Sequence, residues 1–97
     1  MNIEVQEIIS DYLKSKPVDK AWVFGSFSRG EETPESDVDI LVRLMPDSDL
    51  GFGYFEMILD LERLLERSVD MVIEGDLLPF ASPSADRDKI LVYERAS

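Results

Sequence analysis

Asp37 and Asp39 stand one residue apart at the mouth of an apolar run in "GSFSRGEETPESDVDILV", residues 25–42, with Gly25 and Ser26 a dozen residues upstream. Side chains alternate across a strand, so carboxylates two apart share one face and Val38 and Ile40 take the other. A third carboxylate, Asp70, lies near the start of the later run "SVDMVIEG". Three acids brought to one place repel one another unless a cation joins them. The chain has no histidine and no cysteine. Any metal must therefore be a hard ion held by oxygen, magnesium or manganese before calcium. Two such ions sharing an aspartate make the clamp used for in-line phosphoryl displacement. On the other side of the loop, a glycine lets backbone approach a phosphate closely. The amides of a short turn opening at Ser26 offer donors to an anion, and the planar fork of Arg29 reaches the same phosphates. Anion binding beside metal binding points to a nucleoside triphosphate with magnesium.

Positioning these groups takes a small set of elements. Val5, Ile8, Ile9, Tyr12 and Leu13 recur at helical spacing, and Pro17 stops that helix. "VDKAWVFG", residues 18–25, reads as a strand closed by glycine, and "DVDILVRL", residues 37–44, as a strand buried on both faces. After the turn-rich "MPDSDLGFG", a second long helix from about Gly53 to Arg67 carries Tyr54, Ile58, Leu61 and Leu65 along one stripe. Residues 68–75 form a third strand. Pro79 and Pro83 mark residues 77–85 as irregular. Asp86–Lys89 has helical character, and "ILVYE" either finishes that helix or makes a short edge strand. The order predicts an α/β chain with one small mixed sheet of three core strands and room for a short fourth, flanked by helices. Strand–helix–strand connectivity over residues 37–74 predicts parallel neighbours, which sets Asp70 beside Asp37 and Asp39. The short loop between the first two strands predicts an antiparallel pair, which returns Gly25 and Ser26 to the same mouth.

Ninety-seven residues make a single domain, 1–97, with a thin core. No apolar stretch reaches the roughly 18 residues of a membrane span, and the absence of cysteine makes the cytoplasm the expected address. A net charge of −11 disfavours direct nucleic-acid binding, which draws on Lys and Arg to displace counterions, and suits a basic protein partner. Tyr54, Phe55 and Met57 read as core or partner-facing helix residues, Trp22 as core, and Glu31, Glu32 and Glu35 as a solvated loop. Phe52 and Phe80 are candidates for a contact patch.

Gly-Ser-x-x-Arg-Gly followed by Ser-Asp-x-Asp resembles the signature of the polymerase-beta-like nucleotidyltransferases, and "VDMV" matches their third-aspartate strand. The short chain is similar to their minimal branch, the MNT proteins. That resemblance implies the nucleotidyltransferase fold, with Asp37 and Asp39 holding two magnesium ions (manganese as the substitute). Asp70 would bind one metal and help deprotonate the attacking hydroxyl. Gly25 and Ser26 would contact the triphosphate of ATP, Arg29 would assist, and Ser36 would brace the turn before Asp37. Ser28 replaces the usual alanine, and "FASPSADRD" interrupts the tail where the family runs through a regular helix. Members of this size resemble antitoxins of HEPN–MNT toxin–antitoxin pairs, which transfer AMP to a tyrosine of the HEPN ribonuclease toxin, and the resemblance leaves room for either a homo- or a hetero-oligomer. Two other functions fit the same residues: an antitoxin that acts by occlusion without catalysis, and a small-molecule nucleotidyltransferase of the aminoglycoside-modifying kind.

Overall fold

The computed structural model of the protein describes residues 2–46, 51, 53–74 and 89–95. The elements run α1 (Ile3–Leu13), β1 (Val18–Phe24), α2 (Ser26–Arg29), β2 (Val38–Leu44), α3 (Gly53–Leu65), β3 (Val69–Ile73) and β4 (Ile90–Glu94). The four strands form one mixed sheet in the order β3-β2-β1-β4. β2 is parallel to β3, while β1 is antiparallel to both β2 and β4.

The helices form where the apolar stripe and the caps agree. Asn2 caps α1 by accepting the Val5 amide at 3.2 Å, which satisfies one of the donors orphaned at a helix start. Val5, Ile9 and Leu13 then fall on the buried side of α1, and Met57, Leu61 and Leu65 on that of α3. Both helices lie on one face of the sheet and touch each other, α1 over β4 and α3 over β3. Under them sit Val18, Ala21 and Val23 of β1, Val38, Ile40 and Val42 of β2, and Val69 and Met71 of β3. β2 is central and its alternate residues go into this core, so Asp39, Leu41 and Arg43 point to the other face. Leu41 is nevertheless buried, paired with Trp22 on β1 and Val72 on β3. On the face away from the helices only Leu41 of β2 is buried, while Asp39 is half-buried and Arg43 exposed, so the strand is fully covered on its core face alone.

The antiparallel and parallel pairings follow the connection lengths, as expected. For "ILVYE", the edge-strand alternative is the one adopted, with β4 pairing along β1 through a register shift between Ala21 and Trp22. Arg95, just past β4, donates to the carbonyls of Val18 and Lys16 and ties the edge strand down. The helical reading of residues 86–88 and the contact patch at Phe52 and Phe80 lie outside the described residues. Met57 is core, whereas Phe55 is 63% exposed. Tyr54 is half-buried and its hydroxyl donates to the Met71 carbonyl. Trp22 is only partly buried, with the cations of Lys89 and Arg43 over its ring at 4.7 and 5.4 Å. Among the described residues, no helix is long and apolar enough to cross a membrane.

One polar contact joins the two long helices. The Tyr12 hydroxyl donates to Asp60 Oδ2 at 2.6 Å, and Asp60 also accepts from Arg63 at 2.8 Å. Burial, the hydrogen bond to Asp60 and the negative charges of Asp60 and Glu56 together hold the Tyr12 proton well above the usual tyrosine range, against a smaller opposing effect of Arg63. An unfolded tyrosine ionises near pH 10 while the folded one keeps its proton. The stability this linkage contributes is complete below pH 10 and is lost as pH rises beyond it. Urea titrations from pH 8 to 11 should show a falling stability whose slope is reduced in Tyr12→Phe. Equal slopes in the two proteins would refute the coupling.

Candidate active site

Sheet register decides which of the acidic residues meet. Asp39 pairs with Asp70 across the parallel β2–β3 ladder, with Val38 opposite Val69 on one side and Ile40 opposite Met71 on the other. Asp39 and Asp70 therefore leave the same face of the sheet side by side. Asp37 precedes β2 and is exposed. Among the described residues, no three acidic side chains already close around a common point as a metal cage. The arrangement is a contacting pair with a third carboxylate at its rim.

Electrostatics report the proximity directly. Partial burial raises the proton affinity of Asp39, as do the charges of Asp70 and Asp37 and a hydrogen bond shared with Asp70, while Arg29 pulls the other way. Asp39 thus senses all three charged partners that the sequence assigned to the site. A pair of adjacent carboxylates is a poor resting state for two anions and a good one for a divalent cation. Their all-oxygen donor set fits magnesium or manganese.

Gly25 closes the site from the β1 side. Phe24, the last residue of β1, pairs with Asp39, so the following glycine comes directly over that aspartate. Gly25 has φ +75° and ψ −150°, a region open essentially to glycine alone. A Cβ there would overlap Asp39 Oδ2. Both the conformation and the space demand glycine. α2 then starts at Ser26, and its first amides have no carbonyl of a preceding turn to bond. Ser28, in place of alanine, is not inert: its hydroxyl donates to the Gly25 carbonyl at 2.8 Å and pins the turn. Arg29 sits at the end of α2, near enough to Asp39 to influence it, and Arg29 Nε contacts Glu31 at 3.3 Å.

Ser36 braces the turn that delivers Asp37. Its Oγ accepts the Thr33 amide at 2.8 Å, and its own amide donates to the Thr33 carbonyl at 3.0 Å. Sequence reasoning missed what lies on the far side of this turn. Arg67, assigned only as the last residue of a helix, reaches back over thirty residues to donate to the carbonyls of Thr33 and Ser36. Glu62 Oε2 accepts the Val69 amide at 3.0 Å and fixes the start of β3. A cleft of about 450 Å³ opens here, beside Asp37 and between Glu35, Glu62 and Arg67. Only the parallel pairing of β2 with β3 makes these residues neighbours, so no local motif announces them.

Comparison with known proteins gives a consistent picture. The nucleotidyltransferase domain family matches residues 5–93 of the chain. Two Methanocaldococcus jannaschii proteins, each provisionally named a protein adenylyltransferase, are 36% identical over 95 and 94 residues, covering 92% of this chain and 95% of each relative. A solved structure provisionally named a minimal nucleotidyltransferase is 31% identical with a TM-score of 0.75, over 93% of this chain and 95% of that one. A toxin–antitoxin complex solved with AMP-PNP has a TM-score of 0.74 at 21% identity, over 95% of this chain and 73% of that one. The complex of a tri-AMPylated Shewanella oneidensis HEPN toxin with its MNT antitoxin has a TM-score of 0.72 at 18% identity, over 98% and 74%. At those identities, the last two show a common fold.

Stability and the site can be separated by mutation. Gly25→Ala should lower stability by about 1–3 kcal/mol through backbone strain, aggravated by overlap with Asp39. Asp39→Asn, which removes one charge of a repelling pair and can still donate to Asp70, should be within about 0.5 kcal/mol of wild type or more stable. Denaturant melts in chelator check both. A large loss in Asp39→Asn would make that residue a structural one.

Proposed function

Because the chain belongs to the nucleotidyltransferase domain family, we propose that it transfers AMP from ATP to a tyrosine hydroxyl of a HEPN-type toxin and so acts as that toxin's antitoxin. The observation that carries this reading is the side-by-side placement of Asp39 and Asp70, with Asp37 at the rim and Gly25 directly over Asp39. The relatives provisionally named protein adenylyltransferases support the choice of a protein acceptor. The tri-AMPylated toxin in the complex of similar fold supports the choice of partner.

Asp37, Asp39 and Asp70 would hold two magnesium ions, which when bound lower the pKa of the acceptor hydroxyl and stabilise the leaving pyrophosphate. Gly25, Ser26 and the turn they open bind the triphosphate, and Arg29 supplies positive charge from the same turn. Ser36 keeps the residue before Asp37 in place. The tyrosine oxygen attacks the α-phosphorus, the bond to the β-phosphate oxygen breaks, and pyrophosphate departs. Asp70, at the start of β3, accepts the hydroxyl proton. Holding nucleotide and acceptor in line provides much of the acceleration, because a displacement near 1 Å costs about 100-fold.

Intact-mass spectrometry of the partner toxin, incubated with the protein, ATP and magnesium, tests the proposal. Additions of AMP should appear on the toxin and disappear in Asp37→Asn and Asp70→Asn. If those variants neutralise the toxin as well as wild type does and no addition forms, the protein acts by occlusion. Labelling of a small hydroxylated compound in place of the toxin would make it a small-molecule transferase.

A further inference from the structure

Arg67 occupies a position from which it touches both halves of the candidate site. Its Nη1 donates to the Thr33 carbonyl at 2.7 Å and to the Ser36 carbonyl at 3.2 Å. Those two carbonyls bound the turn that ends one residue before Asp37. The guanidinium carbon also lies 4.9 Å from the centroid of the Phe27 ring, and Phe27 is the fully buried residue of α2, between Ser26 and Arg29. One planar cation therefore contacts the loop carrying Asp37 by hydrogen bonds and the turn carrying Ser26 by stacking on its aromatic anchor.

The backbone that presents this side chain is itself held. α3 closes with Glu66 at φ +55° and an Arg67 amide donating to the Glu62 carbonyl at 3.3 Å. This is the six-to-one bond of a Schellman ending, here with a non-glycine residue at the left-handed position. The next residue, Ser68, accepts the Val38 amide at 2.9 Å, immediately after Asp37. Asp37 is thus flanked by two tethers to one short segment, the Arg67 guanidinium before it and the Ser68 carbonyl after it.

We propose that Arg67 is a positioning residue that fixes the Asp37 loop and the α2 turn relative to each other, and so sets the spacing between the metal-binding and triphosphate-binding sides of the site. This rests on the function proposed above. Asp37 lacks the ladder partner that Asp39 has in Asp70, so it depends on this clamp. Partners that orient a metal ligand, without touching the metal, are worth 10- to 100-fold in metal affinity when removed.

The test uses Arg67→Ala, Arg67→Met and Arg67→Lys with two readouts. Calorimetry of AMP-PNP, with manganese and in EDTA, gives the factor by which metal strengthens nucleotide binding. Amide hydrogen exchange gives the opening of residues 33–38 directly, whether or not nucleotide binds. The alanine and methionine variants should reduce the metal factor about tenfold and speed exchange at residues 33–38, leaving β1 amides unchanged. Lysine, which keeps the charge over Phe27 but has no planar fork, should recover part of both. A methionine variant equal to wild type would reduce Arg67 to a packing residue, and an alanine variant equal to wild type would overturn the clamp outright. Failure of the wild-type protein to bind AMP-PNP would count against the proposed function, and hydrogen exchange would then decide the role of Arg67 alone.

Discussion

The parallel register of β2 and β3 places two carboxylates where two anions should not be. Asp39 and Asp70 are paired residues on one face of the sheet, and burial first, then the charge of Asp70, raises the proton affinity of Asp39. Nothing in the sheet relieves the conflict by moving either residue. Sliding β2 by one position would turn Val38, Ile40 and Val42 out of the core, and these three are fully buried. The hydrophobic face thus enforces the electrostatic strain on the opposite face. A cation bound between them would remove that strain, and the chemistry proposed for the site rests on this one constraint.

The remaining elements work around the pair. β1 runs antiparallel to β2, so its end arrives over Asp39, and the absence of a side chain at Gly25 lets it come that close. The same glycine conformation turns the chain into α2, whose Arg29 lies near enough to Asp39 to lower its proton affinity. On the other side, the end of α3 supports both β3, through Glu62, and the Asp37 loop, through Arg67. The interior is apolar, with no buried polar or charged residue among those described. A small domain of this kind gains its stability from apolar burial, and it can therefore carry an unfavourable charge pair at its rim.

Much of this is legible in the sequence alone. The helix stripe of α1, the continuous apolar run of β2 and the order of elements predict the mixed sheet, because helical and strand periods differ and connection length limits strand direction. The Gly-Ser and Asp-x-Asp spacings mark the site, since glycine and alternating carboxylates have local physical consequences. Other features have no local signature. The edge position of "ILVYE" depends on pairing with β1 rather than on its own period. The exposure of Phe55 and the partial burial of Trp22 depend on which faces the other elements cover. The hydroxyl bond of Ser28 to the Gly25 carbonyl depends on the turn geometry and has no signal in the residue type alone. Arg67 is the clearest case: its partners lie 31 and 34 residues away, and the crossover that unites them is a property of the whole sheet.

Anomalous scattering from crystals grown with manganese and AMP-PNP addresses the central claim most directly. A manganese peak should lie within about 2–2.5 Å of carboxylate oxygens of both Asp39 and Asp70, on the side facing Gly25. An ordered nucleotide with no metal between these two carboxylates, or metal bound only away from Asp37, Asp39 and Asp70, would contradict the account.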